Sequence, residues 1–172
     1  MMNNQSTAGE YRLMDLRKDK ELAITNRTLS IKRILVPTAL TSDESKVIHY
    51  AMAFASRFGA ELILLHVYKA KSSTDLSLNM IDGTIVDEGR ERAEDALREL
   101  CAEIGEIYPH CDMCFRSGSP SEEIMFAARD LDADMIVVST HKHHWYRQLL
   151  DKSDAEKLLR HTLCPVLVVR GE

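Results

Sequence analysis

The most unusual chemistry in this chain lies in His141-Lys142-His143-His144-Trp145-Tyr146-Arg147, which holds three of its seven histidines. Neutral imidazoles ligate transition metals, so His141, His143 and His144 could hold an ion if a fourth ligand came from elsewhere. No carboxylate or cysteine lies at a spacing that completes the set, and this favours a surface loop over a metal site. Trp145, Tyr146 and Arg147 are also the residue types that anchor protein contacts. A second constellation is Cys111 and Cys114, an isolated C-x-x-C beside His110. Both fall in a strand pattern whose alternation points them to opposite faces, and no second C-x-x-C exists, so they read as structural cysteines rather than a zinc or redox pair. No nucleophile, base and orienter can be assembled: Ser119 and Ser153 stand at helix starts, and His66 lies inside an apolar run as a core histidine or a strand-end hydrogen-bonder. Catalysis has no support, and the expectation is a protein that is not an enzyme.

The elements that must position these residues are legible from Ile31 onward. Short apolar runs alternate with longer helical stretches, the pattern of buried parallel strands and crossover helices. The expected strands are Arg33–Pro37, Leu62–Tyr68, Asp112–Arg116, Met135–Ser139 and Val166–Val169. Val47, Ile48, Ala51, Met52, Ala55 and Phe58 recur at helical spacing, as do Ala93, Ala96, Leu97, Leu100, Ile104 and Ile107. Three capping boxes, Thr41 with Glu44, Ser119 with Glu122 and Ser153 with Glu156, mark helix starts, and Pro120 suits a first helical turn. The sum is an α/β fold: a doubly wound, five-stranded parallel sheet with helices on both faces, a Rossmann-like three-layer sandwich. Lys69 to Gly89 interrupts the rhythm and reads as a long loop with a helical turn around Leu76 to Ile81. Residues 1–30 show no sustained period and read as a flexible or loosely docked extension, in which Tyr11, Leu13, Met14 and Leu16 could form a short amphipathic helix.

With 172 residues, 45% of them hydrophobic, residues 31–172 suffice for one domain with a core of its own. A net charge of -5 disfavours a nucleic-acid partner, which demands clustered Lys and Arg. The four cysteines lack a disulfide-framework spacing, and the amino-terminal residues lack an apolar stretch for a signal or a membrane span. The expected location is the cytoplasm, with no membrane association.

Five blocks carry a resemblance: Ile34-Leu35-Val36-Pro37-Thr38, Leu64-Leu65-His66-Val67, Gly118-Ser119-Pro120, Ile136-Val137-Val138-Ser139-Thr140-His141, and Ala155 to His161 followed by Cys164-Pro165-Val166-Leu167-Val168-Val169. In this order and spacing, from about Ile31 to Arg170, the chain resembles the universal stress protein family. The resemblance implies the adenine nucleotide alpha hydrolase-like variant of the fold, and a nucleotide site whose positions here are Pro37, Thr38, Ala39, Val67, Ser139, His141, Lys142, Lys152 and Ser153.

In ATP-binding members the resemblance implies a phosphate loop G-x2-G-x9-G-[S/T] and an acidic residue after the Pro-Thr of the first strand. The glycine positions here are Ser139, Lys142 and Lys152, the acidic position is Ala39, and only Ser153 agrees. A glycine lets backbone N–H groups approach phosphate closely, and each replacement adds a side chain there, while Ala39 cannot accept a hydrogen bond from adenosine. Against this, Lys142, Arg147 and Lys152 supply positive charge that could attract ATP or AMP without the glycine nest. Ser153 has the plainer role of an N-cap.

The leading expectation is therefore a stress-response or regulatory protein with a degenerate nucleotide site and no cofactor, acting through an unidentified protein partner. The resemblance implies a homodimer through the last strand, and Val166–Val169 has no following helix to cover its edge. The alternatives are an ATP- or AMP-binding switch using the lysine-bearing loop, and a metal-binding protein using the histidines.

Overall fold

The computed structural model describes residues 29–69, 79–81, 84–139 and 152–170, and the architecture is that of the unit Ile31–Glu172. The first strand, β1 (Arg33–Pro37), buries Ile34, Leu35 and Val36 completely, so side chains on both faces of the strand are covered. This is the burial expected of a central parallel strand sandwiched between helices. A single 3-10 turn over Ser42–Glu44 leads into α1 (Ser45–Phe58), which turns Val47, Ile48, Ala51 and Ala55 to the sheet. It stops at Gly59, whose φ of 66° lies in the left-handed region that a side chain disfavours.

Next comes β2 (Glu61–Tyr68), and then a departure from expectation. In place of a helical turn, Asn79–Ile81 is a strand, β3, paired antiparallel with β4 (Thr84–Val86) in register Asn79↔Val86 and Ile81↔Thr84. The β-branched run Thr84, Ile85 and Val86 suits an extended partner, and cross-strand pairing outweighs the local helical preference of the first segment. Leu76 to Leu78, the rest of the expected helical turn, lie outside the described residues.

Helix α2 (Glu88–Ile107) starts on Asp87, whose carboxylate accepts the N–H groups of Gly89 at 3.1 Å and Arg90 at 3.3 Å. The hydroxyl of Tyr68 donates to the same carboxylate at 3.0 Å, tying the end of β2 to the start of α2. A Cβ at Gly89 would sit 2.9 Å from the Tyr68 oxygen, so a larger residue there would push the hydroxyl out of this contact. The chain continues through β5 (Cys111–Ser117), α3 (Pro120–Asp130), β6 (Met135–Ser139), α4 (Lys152–His161) and β7 (Val166–Val169).

The main sheet has the order β5-β2-β1-β6-β7 with every pair parallel. Ile34, Val36, Leu62, Leu64, Leu97 and Ile104 build the core on the α1 and α2 side. Leu35, Ile63, Leu65, Ile124, Ile136 and Leu158 build the core on the α3 and α4 side. All five expected strands are present, within a residue or so at their ends. Among the described residues, no helix is long and apolar enough to cross a membrane.

Two expected capping boxes take a different form. Ser119 stands at the N-cap of α3 with Pro120 first in the helix, but its side chain makes no cap hydrogen bond. Glu123, not Glu122, is the acid engaged at this end: it pairs with Arg116 at 3.6 Å, and its carboxylate lies over Gly118. Helix α4 already begins at Lys152, so Ser153 is a first-turn residue rather than the cap. The acid of that expected box, Glu156, instead accepts from Arg160 one turn on, at 2.6 Å.

Candidate functional site

The strand order reverses between β1 and β6, and in open parallel α/β sheets the crevice beyond the carboxyl ends at such a reversal is where ligands bind. Ile34 pairs with Met135 and Leu35 with Ile136 across this seam, and Thr38 follows the end of β1 while Ser139 ends β6. Pro37, Thr38 and Ser139 are all buried there.

Thr38 is the hub of the site. Its N–H donates to the Leu65 carbonyl at 2.8 Å, and its own carbonyl lies 2.9 Å from His66 Nδ1. A carbonyl can only accept, so Nδ1 carries the proton and Nε2 is the bare nitrogen of the ring. The Thr38 hydroxyl donates to Glu44 Oε2 at 2.5 Å and accepts the Leu40 N–H at 3.0 Å. Leu40 has a φ of 61°, a conformation that costs a non-glycine residue about 1 kcal/mol or more. Its hydrogen bond to Thr38 holds it there.

Glu44 is the residue that sequence reasoning undervalued. It is only 3% exposed, and its carboxylate accepts from the Thr38 hydroxyl, from the Ala39 N–H at 2.8 Å and from the Thr41 N–H at 3.4 Å. A buried carboxylate is tolerated when donors surround it, and three are present. The pattern Thr41-x-x-Glu44 announced a capping box, and the box is present. What the motif did not announce is that the same carboxylate reaches back to the end of β1 and closes the loop upon itself.

His66 faces Phe115 on the neighbouring strand, with ring centroids 5.7 Å apart, and Tyr68 and the Arg90 guanidinium approach the same Phe115 ring at 6.3 and 5.9 Å. Burial holds the His66 imidazole below its ordinary value of 6.5, partly offset by the Thr38 carbonyl and the Glu44 charge. The ring is therefore neutral at physiological pH. It acts as a strand-end hydrogen-bonder, one of the two roles expected for it.

The other family positions are distributed as follows. Ala39 is half-buried and packs toward the core on the α3 side. Val67 is buried in β2 with its side chain in that same core. Lys152 and Ser153 open α4. His141 and Lys142 lie outside the described residues, as do His143, His144, Trp145, Tyr146 and Arg147. The structure thus brings Pro37, Thr38, Ala39 and Ser139 to one seam, and adds Glu44, Leu40 and His66 to them.

Cys111 and Cys114 lie on opposite faces of β5, in the α2-side and α3-side cores respectively, as alternation requires. The Cys111 thiol is pushed up to about 12 by burial and by its neighbour Cys101.

Comparison with known proteins agrees with the fold. Residues 30–170 match the model of the universal stress protein family. Universal stress protein A homolog 1 of Coxiella burnetii is 32% identical over 145 residues, spanning 80% of this chain and 95% of the relative. A universal stress protein solved in complex with cAMP superposes with a TM-score of 0.58 at 17% identity, covering 81% of this chain and 97% of that one. The universal stress protein of Archaeoglobus fulgidus in complex with dAMP gives 0.58 at 19% identity, covering 80% and 96%. At these identities the two structures share the fold.

Proposed function

Since this chain belongs to the universal stress protein family, we propose that it is a stress-response or regulatory protein whose nucleotide site is degenerate and which acts as a homodimer. In this reading residues 31–172 are the functional domain, residues 1–30 an extension, and the action is non-enzymatic and cytoplasmic. The observation that carries it is the closed hydrogen-bond set around Thr38. The Glu44 carboxylate takes the hydroxyl of Thr38 and the N–H groups of Ala39 and Thr41, and the Thr38 hydroxyl oxygen takes the N–H of Leu40 between them. A nucleoside entering there meets an alanine at the acidic position and backbone donors already engaged. The sequence adds Ser139, Lys142 and Lys152 at the glycine positions, where backbone must approach phosphate closely.

Dimerisation is supported by β7. It pairs only with β6 among the described residues, and Val168 on it is 46% exposed. An apolar edge strand of this kind needs a partner or a cover.

A second reading, a nucleotide-binding switch, is favoured by the two similar structures that carry cAMP and dAMP. There Lys142 and Lys152 would attract phosphate by charge. Calorimetric titration of the full chain with ATP, AMP and zinc separates these readings from the histidine-loop alternative. The degenerate-site reading expects no saturable heat with either nucleotide, and binding of ATP below micromolar concentration would overturn it.

A further inference from the structure

The C-x-x-C motif draws attention to the wrong pair of sulfurs. Cys111 opens β5 and turns to the α2 side of the sheet, where Cys101, on the last two turns of α2, aims its thiol at it with 3.8 Å between the Sγ atoms. Cys114 is on the opposite face, packed in the other core. Both Cys101 and Cys111 are partly accessible and carry free thiols. β5 is also an edge strand of the main sheet.

We propose that Cys101 and Cys111 are an oxidation site, closing to an intramolecular disulfide when the protein meets a peroxide. A disulfide has its sulfurs about 2.05 Å apart, so closure requires an approach of about 1.8 Å, within reach of side-chain rotation and a small shift of the helix end. The reaction proceeds in two balanced steps. The sulfur of Cys101 attacks one peroxide oxygen, the O–O bond breaks, and Cys101 becomes a sulfenic acid with release of one water. The Cys111 sulfur then attacks that sulfenic sulfur, its thiol proton leaves with the hydroxyl as a second water, and the S–S bond forms. Two thiols are oxidised and one peroxide is reduced. The same product follows if Cys111 is oxidised first and the Cys101 sulfur attacks it.

The product would lock the carboxyl end of α2 to the start of the edge strand, bracketing the turn Tyr108-Pro109-His110. The Tyr108 hydroxyl already ties this turn to the Ala60 carbonyl and the His110 carbonyl accepts the Leu62 N–H, so the bond would form across a segment held in place at both ends.

The test treats the reduced full chain with hydrogen peroxide, quenches under denaturing conditions with a maleimide, and reads intact mass and peptide maps. The expected result is an oxidised monomer about 2 Da lighter before labelling, two of the four thiols protected, and a Cys101–Cys111 cross-linked peptide. Cys114→Ser should behave as the native chain, while Cys101→Ser and Cys111→Ser should leave every remaining thiol open to label or oxidised singly. A Cys111–Cys114 cross-link, a disulfide only between chains, or oxidation of Cys101 and Cys111 to sulfinic acids without cross-linking would each overturn the proposal.

Discussion

The carboxylate of Glu44 receives the hydroxyl of Thr38 at 2.5 Å in an interior position, so that the residue opening α1 also fixes the end of β1. Removing that carboxylate strands the Thr38 hydroxyl and the Ala39 N–H. Glu44→Ala should therefore cost about 3 kcal/mol of stability, and Glu44→Gln, which keeps one acceptor oxygen, about 1 kcal/mol. Urea denaturation measures both. A double-mutant cycle with Thr38→Val should give a coupling of about 1 kcal/mol or more, and simple additivity would show that the contact is not energetically real.

His66 makes stability depend on pH in a definite direction. Its folded-state affinity for a proton is depressed by burial, so the unfolded imidazole, near 6.5, protonates first as the pH falls. The unfolded state then binds more protons, and stability rises with pH through that window. The contribution is complete above about 6.5 and is lost as pH falls through the lower folded value. His66→Asn, which retains a donor for the Thr38 carbonyl, should flatten the stability profile between pH 7.5 and 5.5, roughly the range that brackets an ordinary histidine. An unchanged slope would assign the dependence to another group.

The edge strand gives a prediction about assembly. If β7 pairs with its copy, a charge at its centre should prevent the contact without touching the interior, because Val168 is exposed while Val169 is buried. Val168→Arg should scatter light as a monomer at concentrations where the native chain scatters as a dimer. A native chain that is monomeric throughout the micromolar range would remove the homodimer from the account.

How much of this was legible in the sequence depends on the range of the interactions involved. The strands could be read because β1, β2 and β6 are buried on both faces and so appear as unbroken apolar runs such as Ile34-Leu35-Val36. The β3–β4 hairpin escaped notice because each strand is three residues long, too short for a period, and depends on its partner. The Asp87 cap of α2 was missed for a different reason: the apolar stripe begins only at Ala93, more than one and a half turns after the cap. Ser153 shows the familiar uncertainty of helix ends, where a two-residue shift turns a cap into a first-turn residue. At the candidate site, Thr38 and Ser139 were expected from the resemblance alone. The role of Glu44 was hidden behind a local motif that explained it adequately, since nothing in Thr41-x-x-Glu44 reveals that the carboxylate also reaches six residues back to Thr38. The approach of Cys101 to Cys111 likewise depends on how α2 packs on β5, information that no spacing rule contains.

The central claim, that the departures at the nucleotide site abolish binding, is tested most directly by equilibrium dialysis of labelled ATP against two proteins: the native chain, and a chain carrying Ala39→Asp, Ser139→Gly, Lys142→Gly and Lys152→Gly. The account predicts no saturable uptake by the native chain up to about millimolar ATP, a weakness equivalent to about 4 kcal/mol of binding free energy or less, together with measurable uptake by the restored chain. Saturation of the native chain at micromolar ATP, undiminished relative to the restored one, would contradict it.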